Sequence, residues 1–171
     1  PGQTDLLYPA AAVAIGAGGS FITGTGLGSN IMFADMHMQA AQALGLEAEH
    51  AYYANLAQEV KTAFRREFFT ETGRIAEPTQ TAMLLALSTS LVPEEHRERI
   101  CRDLKEKIKA RDWHMDTGFV GTYYLCRTLT ENGMSDVAYT LLLNEDFPSW
   151  LYEVNMGATT IWERWNSLLP D

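Results

Sequence analysis

The chain has 171 residues, 46% hydrophobic and 20% charged, the balance of one ordinary globular domain with a sizeable core. Its formal net charge of -9 argues against a nucleic-acid binder, which needs a basic face to meet phosphate. No stretch approaches the length and apolarity of a membrane span, and no basic segment leads into a short apolar one as in a secretory signal. The location stays open on these grounds, with the cytoplasm favoured over secretion.

In chain order, residues 1–29 stand apart. They hold "YPAAAVAIGAGGSFITGTGLGS", rich in glycine and almost free of charge. A phosphate loop is not expected here, because no GxxxxGK[ST] is present and the glycines lack GxGxxG spacing after a strand. The segment reads as extended or flexible, and residues 30–171 as a separate helical domain. A first helix traces Ile31, Phe33, Met38, Ala41 and Leu44 and ends at Gly45. A second runs through Tyr52, Tyr53, Leu56, Val60, Phe64 and Phe68, and "TETGR" at 70–74 turns the chain. Pro78 or Thr79 opens a short helix, "TAMLLALSTSL", apolar all round and so expected to be buried on most sides.

Pro93 begins "EEHRERICRDLKEKIKAR", whose Ile100, Leu104 and Ile108 form a narrow stripe suited to an outer helix. Acids at its start and bases at its end match the helix dipole, which accounts for the one basic cluster in the chain. "FVGTYYLCRTLTENG" reads as a more buried helix closed by Asn132-Gly133, and Ser135 is placed as the cap of "DVAYTLLLN", a short outer partner. Inner-type and outer-type helices alternate across short turns, without any sustained two-residue alternation. The fold class is all-α, built from antiparallel helical hairpins. Cys101 and Cys126 have neither a CxxC partner nor a histidine at metal spacing, so no metal or other cofactor is expected. Two half-buried helical thiols are favoured over a disulfide.

Three segments could carry chemistry. In "GATTIWERW", at 157–165, the acid Glu163 and the base Arg164 sit between Trp162 and Trp165. Tryptophan rings exclude water and raise a carboxyl pKa, while a neighbouring arginine lowers it. Tryptophan faces also suit the apolar C–H edges of sugars. The competing reading is a helix with core tryptophans and a solvated Glu-Arg pair. "DTGFVGT", at 116–122, places Asp116 and Thr117 where a loop enters a helix, with Gly118 and Gly121 allowing close backbone approach. A rim site and an N-cap with packing glycines are both compatible with it. "NEDFPSWLYE", at 144–153, offers an aromatic wall, with Glu145 and Asp146 read as surface acids. Of the histidines His37, His50, His96 and His114, only His114 is a site candidate, because it precedes the "DTG" segment.

Taken in order, "TQTAMLLAL", "DTGFVGTYYL" and "NGMSDVAYTLLLNEDFPSWLYEVNMGATTIWERW" resemble the catalytic domain of bacterial α-L-rhamnosidases, glycoside hydrolase family 78. The resemblance covers about residues 30–165. It implies an (α/α)6 toroid of six inner and six outer helices, of which about six or seven are legible here. It also implies hydrolysis of terminal α-L-rhamnosides with inversion, a mechanism that pairs one acid with one water-activating carboxylate. Glu163 would be the general base. Trp162, Trp165, Asp116, Thr117 and His114 would bind a rhamnose-containing glycoside. Glu153 lies where the family's "SWLY" segment is commonly not acidic.

The family's general acid comes from the first half of the toroid, in a segment rich in Asp, Arg and Trp that has no match in this sequence. The resemblance therefore implies a partial toroid, its second half, with little activity alone and with exposed inner-helix faces through which copies could associate. The alternative is a non-catalytic helical module that binds carbohydrate or protein.

Overall fold

The computed structural model describes residues 36–167. The Gly-rich segment 1–29, with the start of the first helix, lies outside the described residues. Two compact units divide the chain between Phe64 and Arg65.

In the first unit, a helix ends at residue 43 and the chain turns at Gly45. Gly45 has φ +69°, a left-handed value that side chains resist, and the Leu46 N–H closes the turn on the Ala41 carbonyl at 2.9 Å. The glycine stop expected at this position is therefore real. The next helix, α1 (Glu47–Phe68), starts with acids and ends with bases. It contains no fully buried residue, and Tyr53 stacks on His37 at a centroid distance of 5.0 Å.

The second unit holds the main core. Its elements are α2 (Gln80–Ser88), α3 (Glu94–Lys109), α4 (Phe119–Glu131), α5 (Ser135–Leu142) and α6 (Trp150–Asn155). Among the described residues the only extended pairing is an isolated bridge, Phe69 to Ile75, around the expected "TETGR" turn. Helix α2 packs against both α3 and α4, and α4 against α5. The Thr79 hydroxyl caps α2 by accepting the Ala82 N–H at 3.0 Å. Gln80, Met83, Leu84, Ala86 and Leu87 are buried and no residue of the helix is fully exposed, as its all-round apolarity requires. On α3 only Ile100, Leu104 and Ile108 are buried, the stripe expected from sequence. Burying three such side chains contributes roughly 1.5–3 kcal/mol each.

Helices α4 and α5 form a hairpin across Asn132, Gly133 and Met134. Gly133 has φ +75°, and the Met134 N–H reaches back to the Leu129 carbonyl at 2.8 Å, which satisfies an orphan carbonyl of α4. Three expectations fail in this region. Ser135 is already inside α5, and Met134 holds the cap position with no side-chain bond. Asp116 and Thr117 do not cap α4 either, since Gly118 precedes it without a side-chain bond. Finally, α4 is only half buried: Gly121, Leu125, Thr128 and Leu129 face inward, while Phe119 and Tyr123 are 66% and 79% exposed. Its sequence is apolar on both faces, so composition could not show which one the neighbouring helices leave uncovered.

Gly121 is where α4 meets α2. A Cβ there would lie against the Thr81 side chain and 3.1 Å from the Thr117 Cβ. Gly118 meets nothing within 4 Å, so close approach needs only the second of the two glycines. Cys101 and Cys126 are free, half-buried and helical, and burial pushes both thiols up. No helix among the described residues is long and apolar enough to cross a membrane.

Candidate active site

The site is built on the segments that lead into and out of the core helices. After α3 the chain turns through Asp112 and Trp113, both left-handed at φ 52° and 60°. Such values cost a side-chain-bearing residue roughly 1–2 kcal/mol. Among the bonds that hold this turn, two fix Trp113. The Trp113 N–H donates to the Ile108 carbonyl at 3.1 Å, and Asn144 Nδ2 donates to the Trp113 carbonyl at 3.4 Å.

Gln80 then fixes the following segment. Its side chain, 1% exposed, donates through Nε2 to the His114 carbonyl at 3.2 Å and accepts the Asp116 N–H at Oε1 at 2.9 Å. A buried amide thus replaces the backbone partners that an irregular segment lacks. Thr117 is buried, and its hydroxyl pairs with that of Thr122 at 2.8 Å. The Asp116 carboxylate is ion-paired with Arg111. His114 Nδ1 lies 3.1 Å from the Arg111 carbonyl, so Nδ1 carries a proton and donates in that bond. Nε2 itself is buried without a partner among the described residues.

The second part of the site follows α6. Ser149 caps this six-residue helix by accepting the Tyr152 N–H at 3.0 Å. The chain then leaves helical structure, and residues 163–167 are bends and turns. The helical reading of "WERW" is therefore replaced by an irregular segment. It is anchored by Trp165, whose Nε1 donates to the Thr117 carbonyl at 3.1 Å and whose ring meets Trp150 edge-on at 5.9 Å.

The sequence-derived candidates separate into two adjoining cavities. Glu163, Trp162 and Trp165 line one of about 660 Å³, with Phe119, Tyr123, Phe147 and Trp150 among its walls. His114, Asp116 and Thr117 line a second of about 690 Å³ together with Arg111. Gly118, Phe147 and Trp165 border both. The first is aromatic and carries the acid, while the second is edged by polar and charged groups.

Glu163 is exposed, and its carboxylate makes no hydrogen bond or ion pair among the described residues. Of the two readings of this acid, its exposure is that of the solvated one, and the water-excluded acid of this region is a different residue. Glu153 on α6 is 4% exposed. Burial pushes its carboxyl up, while the Trp162 N–H, donating to Oε2 at 3.5 Å, pulls it down. Gln80, Arg111, Phe119 and Tyr123 were also missed. The signal for Gln80 was a lone polar amide opening an otherwise apolar helix. Among the described residues, no group of histidine, cysteine and acidic side chains is placed to hold a metal ion.

An all-α array of hairpins, with a carboxylate on an aromatic cavity at its loop end, has the concave and largely apolar setting of a small-molecule site. The bacterial alpha-L-rhamnosidase six-hairpin glycosidase domain matches residues 29–171, and the chain belongs to that family. It is 46% identical over 136 residues to an alpha-L-rhamnosidase of Formosa agariphila, covering 78% of this chain and 15% of that protein. It is 42% identical over 138 residues to the alpha-L-rhamnosidase of Streptomyces avermitilis, covering 81% of this chain and 13% of that protein.

The crystal structure of the Streptomyces avermitilis enzyme complexed with L-rhamnose superimposes with a TM-score of 0.76 at 39% identity, covering 86% of this chain and 14% of the other. That of native Aspergillus terreus rhamnosidase gives 0.76 at 36%, covering 85% and 16%. This chain thus spans 13% to 16% of the length of these relatives.

Proposed function

We propose that this chain supplies the base-bearing part of an inverting α-L-rhamnosidase site, with Glu163 as the general base. The observation that carries the reading is the unpaired Glu163 carboxylate on a cavity walled by tryptophan, tyrosine and phenylalanine, in a chain of the rhamnosidase family. In such a mechanism Glu163 takes a proton from water as the water oxygen attacks the anomeric carbon. The glycosidic oxygen leaves from the opposite face, protonated by a carboxylic acid roughly 6.5–9.5 Å from the base. The family resemblance places that acid in a segment with no match in this sequence, so the chain alone is expected to turn over little substrate.

Trp162 and Trp165 would stack on the apolar faces of the sugar ring. Asp116 and His114 would meet its hydroxyls or the aglycone from the neighbouring cavity. Thr117 would act through its carbonyl, which holds Trp165 in place. The exposed Phe119, Tyr123, Phe147 and Ile161 would be covered by a second copy or by further helices.

The test uses a hybrid in which residues 29–171 replace the matching segment of the Streptomyces avermitilis enzyme. Glu163→Gln in the active hybrid is expected to lower kcat on an aryl α-L-rhamnoside by about 10²–10⁴-fold. Because Glu163 is exposed, thermal stability should not change. Undiminished turnover would remove Glu163 from the role. A non-catalytic sugar-binding module is the second reading, favoured by the exposure of Glu163 and the aromatic walls. It expects L-rhamnose to quench tryptophan fluorescence equally in the chain and in its Glu163→Gln variant.

A further inference from the structure

Glu153 is the acidic residue whose placement conflicts most with ordinary burial rules. It is 96% removed from solvent by its 4% exposure, and its Oε1 has no hydrogen-bond partner among the described residues. A buried unsatisfied polar atom costs roughly 1–3 kcal/mol, and more when charged. No cation lies against it among the described ion pairs. Such a group persists where its position does something that an apolar side chain could not.

The geometry shows what it does. The backbone carbonyl of Glu153 accepts the Ala158 N–H at 2.9 Å, and its side-chain Oε2 accepts the Trp162 N–H at 3.5 Å. One residue therefore fastens both ends of the loop at 158–162. Gly157, at φ +87°, lets the chain reverse into that loop. Beyond Glu163 the segment is fastened again, by Trp165 Nε1 on the Thr117 carbonyl. Glu163 stands between the two fastenings, directly after the residue that Glu153 holds.

We propose that Glu153 is a positioning residue, a buried acceptor that holds the Trp162 amide and thereby aims Glu163 into the aromatic cavity. Its functional meaning rests on the reading of Glu163 as base, but the placement can be tested without turnover. The probe is amide hydrogen exchange by NMR on the full 171-residue chain. In Glu153→Leu the Trp162 amide should exchange about tenfold faster or more, through the loss of its one side-chain acceptor. Glu153→Gln keeps a carbonyl acceptor and should restore protection to within about threefold of the unaltered chain. The Trp165 indole N–H and the α4 amides should be unchanged in both variants.

The unaltered chain supplies a second readout in case Glu153→Leu does not fold: the Trp162 amide proton resonance should move with the titration of the Glu153 carboxyl. A Trp162 amide indifferent to that titration, or equally exposed in the Gln and Leu variants, would overturn the proposal. If Glu163→Gln leaves turnover intact while these exchange results hold, only the base assignment fails.

Discussion

The helices of the α2–α5 core and the site segments, residues 112–117 and α6 to residue 167, are held by different means. In the core each helix is fixed by several apolar side chains that substitute for one another. Met83, Leu84 and Leu87 on α2 share their work with Ile100, Leu104 and Ile108 on α3 and with Leu125 and Leu129 on α4. In the site segments single polar contacts carry the shape: Gln80 for residues 114–116, the Trp165 indole for the approach to Thr117, and Glu153 for Trp162. Non-directional packing tolerates error, whereas a chain of single hydrogen bonds places one carboxylate accurately and fails when one member is lost.

The comparison breaks most readily at the core. Leu104→Ala, at a site with 0% exposure, should cost about 2–5 kcal/mol in urea unfolding, with the cost spread over the whole second unit. A value under about 1 kcal/mol would mean that α3 is not packed as described. A smaller but more local loss is expected at Gln80→Leu. The substitution leaves the Asp116 N–H and the His114 carbonyl unpaired, at a cost of roughly 1–3 kcal/mol. Exchange at residues 114–117 should rise well before that of the α2 amides, and a uniform rise would erase the distinction between the two regions.

Glu153 sharpens the contrast through pH. Its carboxyl pKa is raised by burial above the ordinary 4.5, so the folded chain binds its proton more tightly than the unfolded chain does. Stability from this group therefore falls as pH rises through the folded value, and the cost vanishes below the unfolded one. Glu153→Gln removes that dependence, so its stability relative to the unaltered chain should increase as pH rises from acid to neutral. A constant difference across that range would show that Glu153 is not desolvated. The smallest effect is at the turn after α3. Asp112 is exposed at φ 52°, and Asp112→Gly should relieve strain and stabilise by up to about 1 kcal/mol by thermal unfolding.

The same division explains what was legible in the sequence. The α3 stripe, the buried α2 and the stops at Gly45 and Gly133 follow from local periodicity and backbone chemistry, and all are found. Helix α6 was not foreseen, because six residues after Pro148 are too few to show a period. Gln80 acts on residues 34 and 36 positions away, a link no local pattern carries. The "WERW" motif pointed to Glu163 through family resemblance. Its local chemistry was compatible with either a water-excluded or a solvated acid; Glu163 is exposed, and the water-excluded acid is ten residues earlier, at Glu153. Burial is set by the tertiary arrangement, and adjacent tryptophans do not guarantee it.

If Glu163 activates water in an inverting displacement, as proposed, the stereochemistry of the hybrid reports it directly. The first-formed sugar from an aryl α-L-rhamnoside, observed by proton NMR before mutarotation, should be β-L-rhamnose. Glu163→Ala should abolish its release, and added azide should restore cleavage by giving the β-rhamnosyl azide. First-formed α-L-rhamnose, or release undiminished in Glu163→Ala, would contradict the account.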